Sequence, residues 1–79
     1  MIHVTAQDIS EGLPGNSQFC PVALAVNKAI HREKDVQVDG NAITIDDVDF
    51  TISETVRQFI ADFDDGKPVK PFCFEIIYD

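Results

Sequence analysis

Two spacings of apolar residues alternate along this chain and restrict its fold more than any other feature. Helical spacing, with apolar residues at i, i+3, i+4 and i+7, is found at Val22, Ala25, Val26, Ala29 and Ile30, and again at Val56, Phe59, Ile60 and Phe63. Strand-like alternation is found at Ile2–Val4, Val36–Val38, Ala42–Ile45, Val48–Ile52 and Phe72–Tyr78.

With a short helix after the first strand, these segments predict the order β-α-α-β-β-β-α-β. We expect an α+β fold in which a mostly antiparallel sheet of three to five strands carries two to three helices on one face. The 79 residues have room for a single domain, residues 1–79.

Residues that favour helix ends stand at the expected boundaries. Thr5 and Asp8 have the spacing of a capping box, and Gly12 then ends the first helix. Pro21 suits the first position of the second helix, and Ser53 suits the N-cap of the third. The stretch that follows Gly12, residues 12–17, is rich in turn formers, so we expect a mobile loop facing solvent.

The middle of the chain predicts a three-stranded meander. Asp39-Gly40 lies between two alternating segments and is typical of a tight hairpin turn. The apolar positions are odd-numbered up to Ile45 and even-numbered from Val48 onward, so the strand pattern changes face between them. A turn or a bulge at Asp46-Asp47 accounts for this change, and we favour a second turn.

The two cysteines, Cys20 and Cys73, are too few for a disulfide scaffold. Both stand in apolar surroundings, so we expect buried, reduced thiols; a disulfide between them requires Cα atoms within about 7 Å. Because Cys73 and Ile77 give the last segment a second apolar face, we expect its strand to be internal to the sheet.

The excess negative charge of the chain is confined to its second half. From residue 1 to residue 34 three acids match three basic residues, whereas from residue 35 to residue 79 eleven acids face three basic residues, a net of −8. Such a field repels nucleic acid and anionic membranes and attracts a basic protein surface. The acids proposed to face this partner are Asp35, Asp39, Asp46, Asp47, Asp49, Asp62, Asp64 and Asp65.

Two segments have features of a reactive site, and for each a structural role is the alternative. Asp35, Gln37, Asp39, Gly40 and Asp46 come close to the spacing of a calcium loop, but the apolar alternation between them favours a hairpin. Cys20 precedes a helix, where thiolates are stabilised, yet Pro21 removes one of the N–H groups that would stabilise one. We therefore expect no cofactor, no bound metal and no enzyme activity.

The favoured interpretation is a small acidic, non-enzymatic protein-binding domain, for example an inhibitor that docks on a basic partner. One alternative is a nucleic-acid mimic that blocks a protein handling DNA or RNA. Another is a metal- or thiol-dependent site around Cys20 or the Asp39-Gly40 turn. Acidic turns that only keep the domain soluble are the simplest explanation of the charge.

Location and assembly are also constrained by the sequence. No segment reaches the ~20 apolar residues that span a bilayer, and the first residues do not resemble a signal peptide, so we expect a cytoplasmic protein. Because a chain this short has a thin core, a homodimer through an apolar sheet edge is a further hypothesis.

Three motifs resemble a family of small uncharacterised proteins found in phage and bacterial genomes. They are Ile2-His3-Val4-Thr5 with Asp8-Ile9 and Gly12, then Cys20-Pro21-Val22-Ala23-Leu24-Ala25, and then Phe63-Asp64-Asp65-Gly66 leading to Pro71-Phe72-Cys73-Phe74. The resemblance implies a mobile-element setting and no known activity. In such proteins a second cysteine often stands three residues before the Cys-Pro pair, a position that Ser17 holds here.

Overall fold

The computed structural model describes residues 2–30, 35–40 and 42–76. Its elements follow the predicted order, and the α+β class is confirmed. They are β1 Ile2–Val4, α1 Ala6–Glu11, α2 Pro21–Ile30, β2 Val36–Val38, β3 Ala42–Ile45, β4 Val48–Thr51, α3 Glu54–Asp64 and β5 Phe72–Phe74. Ile77 and Tyr78, predicted to extend the last strand, lie outside the described residues.

The strands form two antiparallel sheets rather than the single sheet expected from the sequence. β1 pairs with β5, whereas β2, β3 and β4 form a separate meander. β5 is therefore not internal: among the described residues its strand partner is β1. Cys73 lies opposite His3 in this pair and both side chains are exposed, so the expected burial of Cys73 was wrong.

α2 lies between the two sheets, in contact with β1 on one side and β2 on the other. Val22, Ala23, Ala25 and Val26 are each at most 2% exposed. Burial of each valine contributes about 1.5–3 kcal/mol. The predicted apolar stripe is thus confirmed over most of its length, although Ala29 at its end is exposed.

The turn at Asp46-Asp47 is confirmed and explains the change of face. Both residues have positive φ, 48° and 70°, as a two-residue type I′ hairpin requires. The turn reverses the chain so that Ile45 pairs with Val48 and Ile43 pairs with Phe50. Cross-strand partners share a face, so the odd positions of β3 and the even positions of β4 point the same way.

The loop between α1 and α2 faces solvent over most of residues 12–17, as expected, and it is hydrogen-bonded to two other parts of the molecule. Its own ends are joined by a bond from Leu13 N to Phe19 O (2.9 Å). Its middle accepts a bond at Ser17 O from Val38 N (2.8 Å), and Gly15 N donates to Asp64 Oδ1 (2.9 Å). The loop therefore links β2 and the end of α3.

Asp8 joins the first two helices. Its carboxylate accepts a bond from Thr5 N (3.0 Å), completing the predicted capping box, and lies 2.7 Å from Lys28 Nζ on α2. Asp8 is only 4% exposed, whereas the Lys28 side chain is 54% exposed. Burial raises the pKa of Asp8, but the bonds from Lys28 and Thr5 outweigh it, so the pKa lies below its ordinary value.

Replacing Asp8 by Asn should lower the free energy of unfolding by about 1–3 kcal/mol at pH 7, because the replacement removes the charged partner of Lys28. The folded-state pKa is depressed, so the carboxylate's contribution is complete above pH ~4 and is lost as the pH falls through the folded value. Urea unfolding at pH 7 and at pH ~2.5 should show that the difference in free energy of unfolding between the wild type and Asp8→Asn is smaller at the lower pH.

Glu75→Gln is the control, since this exposed carboxylate should change the stability by less than about 0.5 kcal/mol. A difference between Asp8→Asn and the wild type that persists unchanged at the lower pH would contradict the ion-pair interpretation.

Candidate functional site

Four of the predicted acids gather where β2 begins and β3 turns into β4. Asp35 N donates to Asp46 Oδ1 (3.0 Å), and Asp46 N donates to Asp35 O (3.0 Å). Asp47 completes the turn, and Asp49 lies opposite Thr44 with its carboxylate accepting from Thr44 Oγ1 (2.7 Å). We call Asp35, Asp46, Asp47 and Asp49 the turn group; all four are exposed.

The other four acids lie near the end of α3 and the β2–β3 connection. Asp39 and Asp64 line one cavity of about 210 Å³, together with Cys20. Asp62 and Asp65 lie beside Asp64 in sequence, and Asp62 is 4.0 Å from Lys67 Nζ. We call Asp39, Asp62, Asp64 and Asp65 the helix-end group.

Strand β3 separates the two groups. The connection that contains Asp39 leads into Ala42, and Asp46 follows Ile45 at the other end of the strand. Three residue steps along a strand cover about 10 Å. The structure therefore brings the eight predicted acids together as two groups at opposite ends of the meander.

Nearby cations neutralise the acids of the turn group less than several other acids of the described residues. Lys28 pairs with Asp8, Arg57 lies 3.8 Å from Glu54, and Lys67 lies 4.0 Å from Asp62. Asp35, Asp47 and Asp49 form no ion pair with any lysine or arginine of the described residues. Exposed carboxylates without a nearby cation attract the cations of an approaching molecule.

An exposed apolar side chain lies within the turn group. Val48 is 55% exposed, between Asp47 and Asp49 in sequence. The sequence pattern located the turn that precedes Val48, but it did not show that the Val48 side chain is exposed. That requires knowing where the helices pack, which depends on contacts distant in sequence.

The arrangement of β2 and β3 excludes the calcium-loop geometry. Asp35 lies with the turn group, whereas Asp39 lies at the far end of the hairpin, so their carboxylates do not converge. Within residues 2–30, 35–40 and 42–76, no three His, Cys, Asp or Glu side chains are placed to hold a metal ion.

Cys20 is buried at the start of α2, where its Sγ accepts from Ala23 N (3.4 Å). Burial raises the pKa of the thiol, the nearby Asp64 carboxylate raises it further, and the N–H groups of α2 offset only part of the effect. At neutral pH the side chain is therefore a protonated thiol, which is a poor nucleophile.

A shallow groove of about 580 Å³ runs between α3 and residues 68–72. Its floor contains Phe59 and Phe72, whose ring centroids are 4.7 Å apart. The acids on its rim, Glu54 and Asp62, already have Arg57 and Lys67 beside them. The groove is therefore apolar and nearly neutral, unlike the turn group.

Comparisons of the chain with protein-family models, with curated proteins and with solved structures found no match. Among the helices in the described ranges, none is long and apolar enough to cross a membrane.

Alkylation should separate the two thiols. With iodoacetamide at pH 8, the exposed Cys73 should be modified and the buried Cys20 should remain free, because the thiolate is the reacting species and Cys20 is both protonated and covered. Intact-mass and peptide mass spectrometry should find one modified cysteine in the native chain and two in guanidinium. Modification of Cys20 as fast as Cys73 in the native chain would show that it is a reactive thiol.

Proposed function

We propose that this chain is a non-enzymatic protein-binding domain whose turn group docks on a basic surface of a partner protein. The observation that carries the proposal is the set of exposed carboxylates, Asp35, Asp47 and Asp49, without an ion pair to a described cation. Beside them Val48 offers an apolar contact. Protein interfaces commonly have an apolar centre and a polar rim.

The division of the acids supports docking through one group more than mimicry of a nucleic acid. A mimic needs carboxylates spaced like phosphates along one surface, whereas β3 separates the turn group from the helix-end group. The helix-end group also has internal uses: Asp64 holds Gly15, and Asp62 accepts from Gln58 and neighbours Lys67.

The partner is therefore expected to present lysines or arginines around a small apolar residue. Complementary charge mainly speeds association and sets specificity, and it is screened within about 10 Å at 0.1 M salt. Binding should weaken steeply as salt is raised. The resemblance to phage and bacterial proteins adds the proposal that the partner belongs to a host machine that this chain inhibits.

Charge reversal at the turn group tests the proposal. Asp35→Lys/Asp49→Lys avoids the two positive-φ positions of the turn and should therefore keep the fold. Glu11→Lys/Glu75→Lys makes the same change in net charge at exposed positions outside both acidic groups. Each immobilised chain would be exposed to lysate of the cell that carries the gene, at ~0.05 and ~0.5 M salt, and captured proteins identified by mass spectrometry.

We expect a basic partner that the wild type and Glu11→Lys/Glu75→Lys retain at low salt and that Asp35→Lys/Asp49→Lys loses by tenfold or more. Equal loss in both double variants would show that only net charge matters. Equal retention in all three chains would contradict docking through the turn group.

A further inference from the structure

β4 forms one edge of the meander, and among the described strands its backbone is hydrogen-bonded on one side only, to β3. The strand order is β2-β3-β4, so β3 lies on one side of β4 and no described strand lies on the other. Edge strands with free N–H and C=O groups are templates for pairing with another chain.

The register shows which groups are free. Asp46 N donates to Asp35 O and Asp39 N donates to Ala42 O, so the even-numbered residues of this stretch bond toward β2. Ile43 and Ile45 therefore bond toward β4, at Phe50 and Val48. Asp49 and Thr51 alternate with these, and their N–H and C=O groups point away from β3.

The opposite edge of the meander is different. Val38 N, which also points away from β3, donates to Ser17 O in the α1–α2 loop (2.8 Å). The chain thus covers part of its β2 edge with its own loop. At β4 the backbone groups of Asp49 and Thr51 have no partner among the described residues.

We propose that β4 receives an extended basic segment of the partner protein as an additional antiparallel strand. This rests on the proposed function and names how the docking takes place. The added strand would bond to Asp49 and Thr51 on its inner side. Its cationic side chains would lie on the sheet face of Asp49, and an apolar side chain would lie on the other face, beside the exposed Val48.

Charge complementarity selects this occupant over a second copy of the chain. If two β4 strands paired antiparallel, two acidic edges would be brought together, and in the register centred on Asp49 the two Asp49 side chains would face each other directly. Like charges on directly facing positions of paired strands are destabilising. In a segment that alternates lysine or arginine with an apolar residue, the cations would be attracted to Asp49 on one sheet face. The apolar side chains would be buried against Val48 on the other face.

The experiment uses the full chain and a synthetic eight-residue probe of alternating lysine and valine with blocked ends. Amide hydrogen exchange is followed by NMR at ~0.05 M salt. At about nine times the dissociation constant of the probe, exchange of the Asp49 and Thr51 amides should slow about tenfold. The Val48 and Phe50 amides, already bonded to β3, serve as internal references.

Two controls separate the contribution of backbone hydrogen bonds to probe binding from the contribution of charge. A probe N-methylated at alternate residues keeps every lysine but cannot donate along one edge, and it should bind at least tenfold more weakly. Thr51→Pro removes an outward N–H without breaking a bond to β3, a substitution that edge strands tolerate, and should weaken binding of the unmethylated probe similarly. Far-ultraviolet circular dichroism verifies that this variant folds.

Strand addition would be overturned if the probe bound in a salt-sensitive way without slowing exchange at Asp49 and Thr51, and if the methylated probe bound equally well. Docking through the turn group would then remain intact. Absence of probe binding would also overturn strand addition. The proposed function is tested separately, by the capture experiment with the charge-reversal variants. Protection of Asp49 and Thr51 in a dimeric chain without probe would identify a second copy as the occupant.

Discussion

α2 carries small side chains where it meets its neighbours, and the positions of the other elements depend on that contact. Val22, Ala23, Ala25 and Val26 are all buried on this helix, which contacts both β1 and β2. A closely packed interior loses stability when its volume changes in either direction. The same restriction applies at Gly12, where an added Cβ would lie 2.6 Å from the ring of Pro21.

This central packing determines which side chains remain on the surface. The apolar faces of β1 and the meander are directed to α2 and α3, and Asp8 fastens α1 to α2 through Lys28. The excess acids lie at the β3–β4 turn, in the β2–β3 connection and at the end of α3. The turn group combines charge, an apolar side chain and a strand edge that no described strand pairs with, whereas the helix-end group is partly engaged in holding the loop at Gly15.

Local signals in the sequence predicted the elements well. Thr5 and Ser53 mark helix starts by bonds within one turn, and Pro21 marks one because its missing N–H costs nothing there. The change from odd to even apolar positions between Ile45 and Val48 located the second turn. The division into two sheets, the exposure of Cys73 and the burial of Asp8 depend on contacts between distant segments, which spacing does not encode. The candidate acids could be named from charge alone, but their separation into two groups needed the register of β3.

Hydrogen exchange of the free chain, measured residue by residue by NMR, tests the central claim most directly. The claim is that a buried α2 holds together a meander whose outer edge at β4 is open. Amides in the middle of α2 should exchange only through global unfolding, whereas Asp49 and Thr51 should exchange rapidly by comparison with Val48 and Phe50. Asp49 and Thr51 amides as slow as those of α2 would show that this edge is already covered and would contradict the account.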